Sequence, residues 1–380
     1  MPDPIIILGS GLAGYAAARE FRKLDKQTAL IVVTMDGGSF YSKPMLSNAL
    51  AAGKTAPSLA MKTAAAMGEE LAAQLVTHAS VASIDAAAHR IKVADREIEY
   101  SKLVLALGAD PIRLPLAGDG AREVLSVNDL AGYARFREQL AGKRRVAILG
   151  AGLIGCEFAN DLLAGKHEVD VIDIAAQPLG RLLPPEPAAA IRAALANAGV
   201  RWHFGKKTAA VDKAGDAYRI RFEDGGSIDT DLVLSAIGLA PRIALAKSAG
   251  LAVNRGIVVD NTLRSSDPDI HALGDCAEVE GSVLPYVPPI MSAARVLGPI
   301  LSGKEAVLRY PLMPVVVKTP AMPAVVCPAP AGTQGNWRME TAADGIVARF
   351  VDGEGRLAGF ALTGAATGKR QQLLKEMTPV

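Results

Sequence analysis

A chain of 380 residues, half of them apolar, is long enough for two or three domains with substantial cores. Forty-one basic and thirty-nine acidic residues leave a net charge of +2, which gives no bulk attraction to nucleic acid and makes Lys143 to Arg145, Lys206-Lys207 and Lys369-Arg370 read as solvated turns. No apolar run reaches the roughly 18 residues that span a bilayer, and Cys156, Cys276 and Cys327 are too scattered for a disulfide framework or a metal site.

The buried-strand pattern begins at Ile5, which leaves no room for a secretory leader and points to the cytoplasm. Ile5-Ile6-Ile7-Leu8 predicts a strand over 5–8, and "GSGLAGYAAAREF" turns it into a helix over 12–24. Gly9, Gly11 and Gly14 form a Gly-x-Gly-x-x-Gly, the spacing that lets backbone N–H groups approach a pyrophosphate on the positive end of a helix. A strand over 29–34 completes a βαβ half-fold. Another apolar strand, 103–107, ends at Gly108 and runs into Pro111 and Pro115, an exit from the domain.

A helix over 129–140 leads to a second copy of this plan. It comprises a strand over 145–149, the turn "GAGLIGCEFAND" with Gly150, Gly152 and Gly155, a helix over 154–163 and a strand over 168–173. Later, "DTDLVLSAIGLAPRIAL" repeats the outline of "YSKLVLALGADPIRL". Two copies of one plan predict two similar dinucleotide-binding domains, the second inserted in the first. After them, "SSDPDIHALGDCAEV" reads as a returning strand with a Gly-Asp turn, and a helix follows Pro289. From Tyr310 the pattern alternates as strands, with a hairpin signal at Asp352-Gly353. The expected fold class is α/β. Two Rossmann-like domains, 1–111 with 245–309 around an inserted 112–244, precede a small C-terminal α+β domain over 310–380.

Each dinucleotide unit needs a group at the end of its second strand, about 20 residues beyond the glycines, to accept hydrogen bonds from the adenosine ribose. In the second unit Asp173 fills that place, and no arginine follows it to neutralise a 2′-phosphate, which favours NAD over NADP. In the first unit the place falls on Thr34, with Asp36 two residues further on, and the sequence leaves open which of them holds the ribose.

The two glycine turns, with "LVLALGA", "LVLSAIGLAP" and "DIHALGDCAEV", resemble the FAD- and NAD(P)H-dependent oxidoreductases that bind two dinucleotides. Within that group, "YSKPMLSNAL", "GLAVNRGIVVD" and "PVVVKTPAMP" resemble the rubredoxin–NAD reductases, and the likeness runs over essentially the whole chain. The resemblance implies a tightly bound FAD in the outer domain and NADH as substrate in the inserted one. It assigns to FAD the turn Gly9, Ser10, Gly11, Leu12, Ala13 and Gly14, together with Thr34 or Asp36. Lys43 and Pro44 are placed beside the flavin, the Val81 backbone at the adenine, and Asp275 on the ribityl chain. Val287 precedes a helix whose N-terminus can stabilise negative charge on the flavin, and Glu157 and Lys318 complete the set. To NAD the resemblance assigns Gly150, Gly152, Leu153, Ile154, Gly155, Glu157, Asp173 and Gly238. Glu157 is expected in the first turn of its helix, pointing back toward the dinucleotide. Lys318, alone in an apolar strand, needs a partner for its ammonium group.

The chemistry so implied needs no catalytic side chain. NADH passes a hydride to the flavin, and electrons leave singly for rubredoxin, a small acidic protein with one iron on four thiolates. Disulfide reductases are excluded because no Cys-x4-Cys follows the first turn, and Ser42 stands where NADH oxidases and peroxidases carry a redox cysteine. Lysines and arginines are expected to dock rubredoxin in a transient, salt-sensitive complex, with no part for nucleic acid or membrane, upstream of alkane hydroxylation or of oxygen and peroxide detoxification. Two other readings stay open at this point. One is a reductase for ferredoxin or for the rubredoxin-like domain of a nitric oxide reductase; the other is an NADH-sensing flavoprotein that acts as a binding module.

Overall fold

A computed structural model describes residues 3–330 and 332–377. The chain separates into two compact units. One comprises Met1–Lys43, Ser58–Asp110 and Leu239–Tyr310; the other comprises Pro44–Pro57, Pro111–Gly238 and Pro311–Val380.

The first unit is built on a five-stranded parallel sheet in the order Ile270–Ala272, Lys102–Leu105, Ile5–Leu8, Leu30–Val33, Gln74–Val76. Continuous apolar runs suit such a sheet, because both of its faces are covered; all four residues of Ile5–Leu8 are buried. The helix Leu12–Arg22 stops two residues short of the predicted end. Arg22 binds the carbonyls of Asp25 and Thr28, 3.1 and 2.9 Å away, and folds the chain back toward the next strand. A second helix, Val287–Leu301, begins two residues ahead of Pro289, since Pro288 and Pro289 sit in the first turn where no intrahelical N–H is needed. It passes so near the first helix that a Cβ on Gly298 would stand 2.7 Å from the Glu20 backbone. An antiparallel triplet, Val81–Asp85, Arg90–Val93 and Arg96–Glu99, completes the sheets of this unit that bear on the site.

The second unit repeats the plan with a four-stranded parallel sheet in the order Val200–Phe204, Glu168–Asp173, Arg145–Leu149, Leu232–Ser235. Leu232–Ser235 flanks Arg145–Leu149 as Lys102–Leu105 flanks Ile5–Leu8, so the two "LVL" segments hold equivalent places. Asp231 pins the start of this sheet. Its carboxylate accepts the N–H groups of Arg144 and Arg145 at 3.1 and 2.9 Å and pairs with the Arg145 guanidinium at 2.6 Å. Burial alone pushes this carboxyl up, yet those donors overcome it and hold it down at about 2, against an ordinary 3.8. An acid depressed in the native state contributes stability above its unfolded value and loses it as pH falls through the native one. Asp231→Asn should therefore lower the unfolding free energy by about 2 kcal/mol at neutral pH. In denaturant titrations the difference from wild type should close between about pH 4 and pH 2.

The C-terminal part of this unit is an antiparallel sheet in the order Val315–Val317, Ala324–Cys327, Leu357–Thr363, Gly345–Asp352, Gly335–Ala342. Val325, Val347, Phe360, Leu362 and Leu373 form its core. The hairpin signalled by Asp352-Gly353 is present, with a connection longer than two residues. The loop runs over 353–356, Gly355 rather than Gly353 takes the positive φ, and the Asp352 carboxylate accepts the N–H groups of Glu354 and Arg356 at 2.9 Å each.

The sequence boundaries place 44–57 in the outer domain and end the insertion at 244, whereas the compact units put 44–57 with the inserted residues and end them at Gly238. A ladder of bonds explains the first difference. The Leu50 and Ala51 N–H groups donate to the Asp161 carboxylate at 2.9 and 2.8 Å, and the Tyr133 hydroxyl and Arg137 guanidinium donate to the Lys54 carbonyl at 3.1 and 2.7 Å.

Candidate functional site

Both glycine turns leave a helix N-terminus open. The helix Leu12–Arg22 starts after Gly11 and the helix Leu153–Ala164 after Gly152; neither start has a side-chain cap, and neither first turn holds an acid. Elsewhere side chains do cap helices: Thr63 accepts from the Ala66 N–H and Asp129 from the Gly132 N–H. The first N–H groups behind Gly11 and Gly152 thus keep their donor capacity for an anion, and the helix dipole adds to it.

The three glycines of each turn have different causes. Gly9 and Gly150 have φ of 113° and 106°, a region that favours glycine. Gly14 and Gly155 let each helix pass its own turn, for a Cβ there would lie 1.9 Å from the carbonyl oxygen of Gly9 or Gly150. Gly11 and Gly152 are another matter. Their φ of −69° and −75° suit any residue, and among the described residues nothing beyond the chain neighbours comes within 4 Å of a Cβ built on either. Internal packing gives no reason for glycine at these two positions, whereas close approach of a pyrophosphate does.

Around the first turn, Ser10, Thr34 and Asp36 share one cluster. The Ser10 and Thr34 hydroxyls lie 2.8 Å apart, and Asp36 Oδ1 accepts from Thr34 at 2.8 Å, from Ser10 at 3.0 Å and from the Gly38 N–H at 2.9 Å. Thr34 is buried and Asp36 exposed. The Ala79 N–H donates to the Thr34 carbonyl at 2.9 Å, which brings the segment leading into Val81 alongside. Gly274 rests on Ala13, where a Cβ would stand 2.7 Å from the alanine's own, so the Gly274–Cys276 turn carrying Asp275 abuts the start of the first helix. Burial raises the Asp275 carboxyl, against the pull of the nearby Lys43 ammonium.

Around the second turn, Asp173 ends its strand with both oxygens engaged. Its carboxylate accepts the N–H groups of Ala151 at 2.6 Å and Ala175 at 2.7 Å, bracing the turn. Ile174, 74% exposed, is the next residue. Gly238, at φ 126°, accepts the Ile112 N–H at 3.0 Å through its carbonyl.

Glu157 corrects one expectation. It is the fifth residue of its helix, in the second turn rather than the first, and is 1% exposed. Its Oε2 accepts the Ser47 hydroxyl at 2.5 Å and lies 3.1 Å from the Lys318 ammonium, while Oε1 accepts the Lys318 main-chain N–H at 3.0 Å. Lys318 itself comes just after the strand Val315–Val317 rather than within it, and its ammonium also donates to the Pro44 carbonyl. Ser47 was not marked by the sequence. A serine in the 3-10 turn Lys43–Asn48 has neither the charge nor the periodicity that would single it out.

The pyridine nucleotide-disulphide oxidoreductase family model matches residues 3–295. The chain belongs to that family. A second model, the rubredoxin binding C-terminal domain, matches residues 307–377. The chain is 48% identical over 378 residues to the rubredoxin-NAD(+) reductase of Alcanivorax borkumensis, covering 99% of each. It is 45% identical over 384 residues to the rubredoxin-NAD(+) reductase of Acinetobacter baylyi, covering 99% of this chain and 98% of that one. Among solved structures, the ferredoxin reductase for the CYP199A2 system from Rhodopseudomonas palustris matches with a TM-score of 0.90 at 26% identity, over 99% of this chain and 96% of that one.

Cys156, Cys276 and Cys327 are all buried and unpaired with one another. Burial pushes the Cys156 thiol up to about 12, and those of Cys276 and Cys327 to about 11. None of the three offers a thiolate at neutral pH.

Proposed function

We propose that the chain carries electrons from NADH through a tightly bound FAD to a rubredoxin, one at a time. The observation that carries this reading is the pair of open helix N-termini whose middle glycines have no internal cause, in a chain whose C-terminal residues match a rubredoxin-binding domain. When bound, FAD accepts a hydride from NADH and releases electrons singly.

The chain's own residues hold and orient the two dinucleotides. Main-chain N–H groups of Gly11, Leu12 and Ala13 take the FAD pyrophosphate, and those of Gly152, Leu153 and Ile154 take that of NADH. Of the two candidates for the FAD ribose, Asp36 is favoured. The Thr34 hydroxyl is buried and engaged within its cluster, whereas Asp36 is exposed and its bonds among the described residues fall on Oδ1. Asp275 takes ribityl hydroxyls, the Val81 backbone takes the adenine, and Lys43 and the N-terminus of the helix Val287–Leu301 offset negative charge on the cofactor. Glu157, Lys318 and Pro44 act on the flavin as well. Asp173 takes the NADH ribose, and the lack of a cation after it favours NADH over NADPH.

Exposed Arg338, Lys369 and Lys375 give the C-terminal segment positive charge for an acidic partner. Among the described residues no helix is long and apolar enough to cross a membrane, and we place the chain in the cytoplasm.

Anaerobic stopped-flow mixing tests the reading. NADH should bleach the flavin absorbance of the loaded protein. Oxidised rubredoxin should then restore it at a rate that falls about tenfold between roughly 50 and 500 mM salt. Preference for ferredoxin, or indifference to salt, overturns the choice or mode of docking. Failure of NADH to bleach the flavin overturns the reading as a whole.

A further inference from the structure

We propose that Ser47 is a positioning residue for Lys318: by bonding the Glu157 carboxylate, its hydroxyl fixes where the lysine's positive charge stands. This rests on the assignment of Lys318 to the flavin made above.

Glu157 Oε2 is the meeting point. The Ser47 hydroxyl donates to it over 2.5 Å, and the Lys318 ammonium lies 3.1 Å from that oxygen and 3.4 Å from Ser47 Oγ. Ser47 is 2% and Glu157 1% exposed, so the carboxylate is cut off from bulk water and depends on protein donors. Oε1 is already held by the Lys318 main-chain N–H.

The lysine is tethered at its base. Its N–H is on Glu157, and its carbonyl accepts the Asn48 side-chain amide at 3.2 Å. Beyond that base lies a flexible four-carbon stem. With 36% of the side chain exposed, the ammonium has solvent as an alternative. Three oxygens oppose that alternative: the Pro44 carbonyl, Ser47 Oγ and Glu157 Oε2. Two of them come from the single turn Lys43–Asn48, and the third is oriented by that turn's Ser47. The serine's other acceptor is the Pro44 carbonyl at 3.5 Å, too long to compete with the carboxylate. Removing the hydroxyl deletes one contact to the ammonium and leaves the carboxylate oriented only by the Lys318 N–H on Oε1 and by the ammonium itself, so Oε2 is held less firmly.

The test uses the full-length, FAD-loaded protein as Ser47→Ala, Ser47→Thr and Lys318→Met. The first readout is the rate at which an amine-selective acylating reagent modifies Lys318, followed by mass spectrometry. Ser47→Ala should raise it about fivefold, the population change that one lost hydrogen bond of ordinary strength sets. The second is the flavin's reduction equilibrium against a reference dye. Ser47→Ala should shift it about threefold toward oxidised flavin, roughly 15 mV for a two-electron couple, in the same direction as Lys318→Met. Threonine, which keeps the hydroxyl, should restore both. Wild-type labelling and a wild-type equilibrium in Ser47→Ala, even with a lowered melting temperature, would reduce the serine to a packing group and overturn the proposal. If Lys318→Met itself leaves the equilibrium unmoved, the link of the lysine to the flavin fails, and the labelling rate still decides the role of Ser47.

Discussion

Gly152→Val is expected to lower kcat/KM for NADH by about 100-fold while the melting temperature stays close to that of the wild type. The position has φ −75° and ψ −170°, extended backbone that a β-branched residue adopts readily, and open space surrounds a Cβ there. The backbone and the space at Cβ therefore admit valine, at a cost of about 1 kcal/mol for the poorer N-cap. A pyrophosphate seated on the N–H groups behind it does not, because the new methyls stand where its oxygens approach. Losing two hydrogen bonds to a charged group, at about 1.5 kcal/mol each or more, gives the stated factor. Gly155→Ala should behave oppositely. Its Cβ would meet the Gly150 carbonyl oxygen at 1.9 Å, so the turn must open and the protein should lose stability outright. Thermal melts beside steady-state NADH kinetics separate the two. Normal NADH kinetics in Gly152→Val would remove the dinucleotide from this turn.

Lys318→Met should destabilise the protein by about 2 kcal/mol and lower the flavin's midpoint potential. Taking one partner from a buried ion pair costs up to about 3–5 kcal/mol, because the other charge is left behind. The lysine's 36% exposure argues for the smaller figure, and Glu157 keeps the Ser47 hydroxyl and a main-chain N–H. On the proposed placement of Lys318 by the flavin, the potential falls because a positive charge there favours the electron-rich, reduced form. Glu157→Gln added to Lys318→Met should return most of the stability, since a neutral amide needs no countercharge. Denaturant unfolding of both variants checks the first claim and dye-coupled reduction the second. A Lys318→Met protein unchanged in both would make the lysine a surface residue.

Much of this was legible in the sequence because parallel strands are continuous apolar runs and the glycine turns mark where each one ends. Ile5–Leu8, Arg145–Leu149 and Glu168–Asp173 fall where those signals put them. The Asp-Gly signal at 352 marks the hairpin but not its length, which follows from the Asp352 side chain satisfying two N–H groups and so supporting a longer loop. The second-turn position of Glu157 follows from where its helix begins, since with Gly152 as N-cap the third glycine already lies in the first turn. The allegiance of 44–57 was out of reach for a different reason. Its anchors, Asp161, Tyr133 and Arg137, bind main-chain groups, which leave no trace in residue type.

In the sheet of the first unit, Lys102–Leu105 lies between Ile5–Leu8, made before it, and Ile270–Ala272, made long after. At about 5–20 residues per second, a ribosome needs on the order of 10 to 30 s to reach that last strand. Throughout that interval a strand with three of its four residues destined for burial presents unpaired N–H and C=O groups along one side. Until Ile270–Ala272 is made and pairs with it, this edge is open to another chain, so the order of synthesis sets how long the sheet is exposed to mispairing.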